Sequence, residues 1–215
     1  MSFYVEAPTS KFTPVPIGMH LARLFRIVDL GTQRTEYEGN VNFKRQLQFV
    51  WEVHGKDEEG NPTVTEKGEP LIITKDYNLS WADMATLRID LESWCGRPFT
   101  DDERRRFDIE NVIGNWCMLT VIHKPKKKGS GVYANVKAVT PVSDVRKKIG
   151  FPEPHNKTSF FRVSEPDMEL FETFPKYLQE KISSCPEWRG EKSVNQAQKS
   201  GGGSGFDDMD DDVPF

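Results

Sequence analysis

Apolar and polar residues alternate between Val41 and His54, so that nearly every second side chain in this segment is hydrophobic. An alternation with a period of two over this length is a strong signal for a β-strand that is buried on one face. We therefore predict that one face of the strand points into a core and that the other carries polar side chains. The predicted inner face carries Val41, Phe43, Leu47, Phe49, Trp51 and Val53, together with Arg45.

Four other segments are predicted to be strands because they are short, rich in branched and aromatic residues, and bounded by turn residues. They cover residues 18–30, 71–79, 116–123 and 132–139, and residues 31–40 are predicted to form a loop. The first of them is apolar on both faces, as in a strand of a closed barrel. Its predicted faces carry Ala22, Leu24, Val28 and Leu30 on one side, and Leu21, Arg23, Phe25 and Ile27 on the other.

Two helices are predicted between the third and fourth strands. Ser80 with Asp83, and Thr100 with Glu103, match the capping box, in which two side chains satisfy the first backbone amides of a helix. Gly96 is predicted to end the first helix. The residues spaced as an apolar helix stripe requires are Met84, Leu87, Leu91 and Trp94.

The element order is three strands, a helix and then a hairpin of two strands. This is the order of the OB-fold, a five-stranded Greek-key barrel with its helix between strands three and four. We therefore predict a mainly β protein with an OB-fold barrel over residues 1–143. Residues 144–190 are rich in apolar side chains and are predicted to form short helices packed on the barrel. Residues 191–215 are predicted to be a flexible linker and a disordered acidic tail.

The charge of the chain is unevenly distributed. The 215 residues carry a net charge of −4, which taken alone argues against a nucleic-acid-binding protein. The last ten residues, however, hold five Asp and no Lys or Arg, so the rest of the chain carries a net charge of +1. Such an asymmetry indicates more about function than the total charge does.

Motifs of the common enzyme classes are absent from the sequence, which has no GxxxxGK[ST] loop, HExxH motif or GxSxG elbow. The four histidines are far apart, and the pair Asp101 and Asp102 is explained by the preference for acidic residues at a helix N-terminus. A metal site at this pair stays as the alternative. We expect a protein that is not an enzyme and has no cofactor or metal.

Four lysines lie within five residues in the turn between the fourth and fifth strands, in the sequence Lys124-Pro125-Lys126-Lys127-Lys128. Phosphate contact is the functional interpretation, because an anion relieves their mutual repulsion, and a solvated hairpin tip is the alternative. In OB-folds this turn flanks the groove that binds oligonucleotides.

Further cations and aromatic rings are interleaved along the predicted strands. Single-stranded nucleic acid needs both, because bases stack on rings while phosphates bind cations. Tyr77 and Tyr133 are predicted to be exposed, since their strand neighbours are polar, although burial in the core is the alternative for any single ring. The predicted DNA-binding residues are Arg23, Phe25, Lys44, Lys75, Tyr77, Trp116, Lys124, Lys126, Lys127, Lys128, Tyr133 and Lys137.

The last ten residues, FDDMDDDVPF, combine acidic residues with an apolar end and follow a Gly-rich tether. A terminal ring, a free carboxylate and a run of Asp suit a protein partner whose apolar pocket is ringed by Lys or Arg. A solubility tail is the alternative. The predicted partner-docking residues are Asp207, Asp208, Asp210, Asp211, Asp212, Val213, Pro214 and Phe215.

This ending resembles the C-terminal tip of bacterial single-stranded DNA-binding proteins, which usually have Ile at the position of Val213. The body of the chain is similar instead to single-stranded DNA-binding proteins encoded by tailed phages of enterobacteria. The resemblance implies an OB-fold protein of phage replication or recombination, whose tail recruits replication, recombination and repair enzymes of host or phage. Residues 144–190 have no counterpart in the bacterial single-stranded DNA-binding proteins. The resemblance to them therefore implies no oligomeric state for this chain.

We therefore expect a protein that binds single-stranded DNA without sequence specificity. It is expected to act in the cytoplasm of the bacterial host and not to associate with a membrane. Its acidic tail is expected to recruit partner proteins and to compete with DNA. An OB-fold adaptor that binds no nucleic acid is the alternative from another class. A metal-dependent nuclease that uses Asp101, Asp102 or Glu103 is a weaker alternative.

Overall fold

The computed structural model describes residues 13–37, 40–56, 60–126 and 131–191. The acidic tail and two of the predicted DNA-binding residues, Lys127 and Lys128, lie outside the described residues. The strands are β1 (Gly18–Tyr37), β2 (Asn40–Val53), β3 (Leu71–Asn78), β4 (Trp116–Pro125), β5 (Val132–Thr140) and β6 (Ser159–Phe161). The α-helices are α1 (Thr86–Cys95), α2 (Asp101–Arg106), α3 (Asp144–Ile149), α4 (Met168–Glu172) and α5 (Lys176–Ser183).

Five strands form a continuous antiparallel path in the order β3–β2–β1–β4–β5. The short strand β6 is added to β1 in parallel, so the sheet has six strands. β1 is the central strand, because it pairs with β2, with β4 and with β6. The prediction of a mainly β protein is confirmed. None of the helices in the described ranges is long and apolar enough to cross a membrane.

β1 continues through residues 31–37, part of the segment predicted to be a loop, and it stays paired with β2 as far as Tyr37. The register shifts between Asp29 and Gly31, which marks a β-bulge. Gly31 has a φ of +68°, a left-handed conformation that glycine adopts without strain. The loop prediction is wrong because the glycine forms a bulge, after which the strands continue as a polar two-stranded ribbon.

A second register shift, between Leu24 and Arg26, changes which face of β1 each later residue occupies. Leu24 and Ile27 both lie in the main core, whereas Val28 belongs to a second core on the other side of the sheet. The predicted faces of β1 are therefore wrong after the bulge. The prediction assumed an unbroken period of two, and one extra residue reverses every side chain that follows.

The main core lies between the inner face of the sheet and helix α1, whose Leu87 and Leu91 are each 1% exposed. The predicted inner face of β2 is confirmed from Leu47 to Val53 but not at Val41 and Phe43, which are exposed. These two residues lie on the part of the ribbon that extends beyond the core. Alternation alone does not show where along a strand the core ends.

The second core covers the outer faces of β1 and β2 with the C-terminal segment. Phe25, Val28 and Leu30 of β1 and Val50 of β2 pack there against residues from β6 to the end of α5 and beyond. This covering explains why β1 is apolar on both faces. The buried members from the C-terminal segment are Phe161, Val163, Phe171, Phe174, Leu178, Ile182 and Cys185.

The two predicted capping boxes have different outcomes. Thr100 and Glu103 form the box that begins α2, as predicted. α1 begins only at Thr86, because the Ser80 hydroxyl accepts a hydrogen bond from the Ala82 amide in a local turn. The end of α1 at Gly96, whose φ is +73°, is as predicted.

Candidate nucleic-acid interface

The hairpin of β4 and β5 brings cations and an aromatic ring together. The register places Lys124 directly opposite Tyr133, and directly opposite residues share one face of the sheet. The ammonium group of Lys126 lies 5.4 Å from the centroid of the Tyr133 ring, a cation–π contact. Lys126 is exposed and Tyr133 is half-buried. The side chains of both Tyr133 and its cationic neighbours therefore reach solvent at the tip of the sheet.

Two further predicted cations lie on strands at some distance along the chain from this tip. Lys137 is exposed on β5, beside a register shift in the pairing with β4. Lys44 is half-buried on the ribbon of β1 and β2, where it is opposite Gln33.

The predicted exposure of Tyr77 is wrong. Its ring is 1% exposed, packs against Phe49 at 4.9 Å between centroids, and belongs to the main core. Its hydroxyl donates a 2.7 Å hydrogen bond to the carboxylate of Asp90 in α1. Lys75, on the same face of β3, binds the same carboxylate at 2.9 Å. Lys75 therefore indicates an ion pair beneath α1 and not a solvated strand face.

Two residues of β1 that were predicted to bind DNA have structural roles. Phe25 is 2% exposed within the second core. The guanidinium group of Arg23 donates hydrogen bonds to the backbone carbonyls of Gly114 and Asn156 and to the buried carboxylate of Glu52. Neither side chain is available to a strand of DNA, because each is enclosed by residues that come from distant parts of the sequence.

Trp116, at the start of β4, lies in an aromatic column. Its ring is nearly parallel to that of Phe151, with an angle of 9° and 5.1 Å between centroids. The His54 ring packs edge-on against Trp116 at 5.0 Å. Trp116 and Phe151 line a cleft of about 450 Å³, whose wall also includes Trp94, Val112, Val142 and Lys147.

Sequence reasoning missed three aromatic residues that reach solvent, one of which, Tyr177 on α5, is 59% exposed. Phe43 is 39% exposed on the ribbon, directly opposite Arg34, and Phe151 is 41% exposed beside Trp116. Phe43 was placed in the core by its alternation with polar neighbours. For Phe151 a signal was present in the sequence, since it follows Gly150 and the basic run from Arg146 to Lys148.

The acidic residues at the start of α2 bind neighbouring arginines and helix amides. Asp101 pairs with Arg104, and Glu103 binds both Arg97, at 2.6 Å, and Thr100. The hydrogen bond from Arg97 lowers the pKa of Glu103 to about 2, with a further contribution from the Thr100 amide. No group of three His, Cys, Asp or Glu residues placed to hold a metal ion is found in the described residues. In this structure Glu103 is therefore part of the capping box of α2, and Asp101 is part of an ion pair.

No protein-family model matches this sequence, and no match is found among curated proteins. The function of the chain must therefore be inferred from its own residues. Among the predicted DNA-binding residues, the structure brings Lys124, Lys126 and Tyr133 together on one hairpin and places Trp116 in the cleft. It encloses Arg23, Phe25, Lys75 and Tyr77 at the core or in ion pairs, while Lys44 and Lys137 lie elsewhere on the strands.

Proposed function

We propose that the protein binds single-stranded DNA without sequence specificity. The observation that carries this proposal is the hairpin of β4 and β5, where Lys124 and Lys126 flank the half-exposed ring of Tyr133. A ring offers a stacking surface to any base, while the ammonium groups bind phosphates, and neither contact reads the base sequence. The proposed setting is phage DNA replication, recombination or repair in the cytoplasm of a bacterial host, and the protein is proposed to have no enzymatic activity.

The proposed fold is an OB-fold barrel. Three features support it: the strand order, the position of α1 between β3 and β4, and the approach of β3 to β5. β3 and β5 are the two ends of the paired path, yet several of their Cα atoms come within 8 Å of each other. In OB-folds the loop between strands four and five flanks the oligonucleotide groove, which is the position of the lysine-rich hairpin here.

The acidic tail is proposed to recruit partner proteins and to compete with DNA. Residues 207–215 lie outside the described residues, and the support comes from their composition. Five Asp on a Gly-rich tether are attached to a body that carries a cationic hairpin. Tethering raises the local concentration of such a segment to about the millimolar range. The terminal Phe215 supplies an apolar anchor for a partner's pocket.

A salt titration tests the DNA-binding proposal. Fluorescein-labelled oligo-dT is titrated at several salt concentrations with the wild type and with a variant in which Lys124, Lys126, Lys127 and Lys128 are changed to Ala. For each phosphate that the variant no longer binds, the slope of log K against log salt should become less steep by about 0.7. A control variant removes the same charge elsewhere, by changing the exposed Lys56, Lys67, Lys157 and Lys176 to Ala.

The outcomes separate the candidate functions. Equal slopes for the hairpin variant and the control variant would refute the role of the hairpin. A wild-type protein that does not bind oligo-dT would leave the adaptor function in place of the DNA-binding one. Cleavage of the oligonucleotide after addition of Mg²⁺ would instead support the nuclease alternative.

A further inference from the structure

The geometry points to a second DNA-binding subsite, in the cleft beside Trp116, that takes one nucleobase of the bound strand on the ring of Phe151. This inference rests on the proposed function and adds a binding site to it. The cleft has about 450 Å³, within the range of ~300–1,000 Å³ that is typical of sites for small molecules. Its wall is largely aromatic and apolar, with the cationic Lys147 beside Phe151.

The aromatic column presents a ring face that can be extended by stacking. The Trp116 ring makes a T-shaped contact with His54 and stacks on the nearly parallel ring of Phe151. One face of Phe151 is therefore covered by Trp116, yet the residue is 41% exposed and lines the cleft, so part of it is accessible to a ligand there. Offset stacking is a favoured arrangement of aromatic rings, so a nucleobase placed on Phe151 would continue the column.

The segment that carries Phe151 is held at both ends before any ligand binds. Gly150 has a φ of +94° and a ψ of 178°, a conformation that is essentially restricted to glycine, and it turns the chain back after α3. Further on, the buried carboxylate of Glu52 accepts hydrogen bonds from the amides of His155 and Asn156, at 3.3 and 2.7 Å. A ring fixed in this way loses little conformational freedom on binding, which favours affinity.

The charges near the cleft suit the phosphates on either side of a bound base. α3 carries Arg146, Lys147 and Lys148 in its last turn, and Lys147 lines the cleft. Lys147 pairs with Asp144 at 3.1 Å, but the pair is exposed and so contributes little.

The cleft and the hairpin lie at opposite ends of β4, because Trp116 is its first residue and the hairpin turn follows its last. Cys117, Leu119 and Val121 of β4 belong to the main core, so the even-numbered residues between them face outward. Trp116 and Lys124 are both on this outward face, and eight residues of an extended strand span about 27 Å. A DNA strand that contacts both sites would run along the outer face of β4.

A nucleobase is favoured over an apolar peptide side chain by two features together. The exposed surface is a flat ring already stacked on a second ring, and the adjoining helix carries three consecutive cations in its last turn. A DNA strand presents both a base to stack on a ring and phosphates to bind cations. An acidic peptide is the occupant that the experiment must separate from DNA.

Two oligonucleotides of equal length and charge test the inference: fluorescein-labelled oligo-dT, and a matched strand of abasic sites. Phe151→Ala should weaken the binding of oligo-dT by about 5- to 150-fold, the effect of losing one stacked base. The same change should barely alter binding of the abasic strand, which has phosphates but no bases. Phe151→Tyr should restore the affinity for oligo-dT, because it restores a ring.

The control is Ile149→Ala, which removes a 72% exposed apolar side chain from the same segment without touching the cleft lining. It should bind oligo-dT as the wild type does. Thermal unfolding of each variant checks that the fold is retained. If Phe151→Ala does not fold, Phe151→Leu replaces it in the test. Leucine keeps an apolar contact with Trp116 but has no ring on which a base can stack.

Three results would overturn the inference. The first is an affinity of Phe151→Ala for oligo-dT equal to that of Ile149→Ala. The second is an equal loss for oligo-dT and the abasic strand, which would make the ring structural. The third is a labelled peptide of the sequence FDDMDDDVPF that loses its binding in Phe151→Ala while oligo-dT does not, which would assign the cleft to a peptide. If one of these results is found while the hairpin variant still changes the salt slope, the subsite is refuted but the proposed DNA binding is not. If the wild type does not bind oligo-dT, the proposed function itself is refuted.

Discussion

Glu52 is the residue whose substitution should most disturb the connection between the sheet and the segment that carries Phe151. Its side chain is fully buried, and its carboxylate accepts hydrogen bonds from Arg23, from the His155 amide, and from both the amide and the side chain of Asn156. Glu52→Gln removes the negative charge and replaces one acceptor oxygen by an NH₂ group that faces these donors. The shape of the side chain is kept, so the change reports on charge and hydrogen bonding.

The expected cost follows from the burial of the pair. Removing one partner of a buried ion pair costs about 3–5 kcal/mol, because the charge on Arg23 is left without compensation. The matched control is Glu36→Gln, which removes a carboxylate from a pair with Arg34 in which both side chains are more than half exposed. An exposed pair of this kind contributes about 0–1 kcal/mol.

Urea unfolding followed by tryptophan fluorescence measures both free energies. We expect Glu52→Gln to lose about 3–5 kcal/mol of unfolding free energy with little change in the denaturant slope, and Glu36→Gln to stay close to the wild type. The reasoning would be refuted if Glu52→Gln lost no more unfolding free energy than Glu36→Gln does. The buried carboxylate would then contribute no more to stability than an exposed one.

The same carboxylate predicts how stability depends on pH. Burial acts to raise the pKa of Glu52, but the hydrogen bonds from Asn156 and Arg23, together with the His54 ring nitrogen 3.3 Å away, outweigh it, so that pKa lies below the ordinary value of 4.5. Because the pKa is lower in the folded state, the stabilisation is fully present above pH 4.5 and is lost as the pH falls through the folded value. Below pH 4.5 the wild type should therefore lose stability more steeply than Glu52→Gln.

Three other predictions test the burial of Tyr77, the β-bulge at Gly31 and the role of the acidic tail. Tyr77→Phe should lower the unfolding free energy by about 1.5–3 kcal/mol, since the hydroxyl binds the Asp90 carboxylate, and should leave affinity for oligo-dT unchanged. Gly31→Ala should lower the melting temperature, because φ is +68° there and an added Cβ would lie 2.4 Å from the Cys185 sulfur. Deleting residues 206–215 should strengthen oligo-dT binding at low salt, whereas removing Phe215 alone should abolish partner docking and leave DNA affinity nearly unchanged in the same titration.

The strands could be predicted from the sequence because alternation and residue type are local signals. Which face of each strand is buried was harder to predict, for physical reasons that differ from strand to strand. On β1, the bulges near Phe25 and at Gly31 interrupt the period of two. On β2, Phe43 alternates correctly but extends beyond the core. On β3, Lys75 is a buried partner of Asp90, a residue that belongs to a helix formed later in the chain.

The candidate site was predictable only where its residues are close in sequence. Lys124, Lys126 and Tyr133 belong to one hairpin, so their proximity followed from the predicted turn. The contact between Trp116 and Phe151 instead joins residues far apart in the sequence, and Glu52 binds the backbone of residues 155 and 156 that follow Phe151. Hydrogen bonds donated by backbone amides leave no pattern in the types of the donor residues, so this part of the site could not be predicted from the sequence.

The C-terminal segment determines which part of the sheet is left for a ligand. It covers the outer faces of β1 and β2, where Phe25, Val28 and Val50 are buried, and so removes them from any DNA interface. Within the described part of the chain, the second core includes no residue of β4 or β5, the strands that carry the hairpin cations and Trp116. The residues that come just before this segment in the chain supply Phe151 and the cations of α3. If DNA binds as proposed, the chain that follows β5 therefore both covers the outer faces of β1 and β2 and supplies residues to the DNA-binding surface.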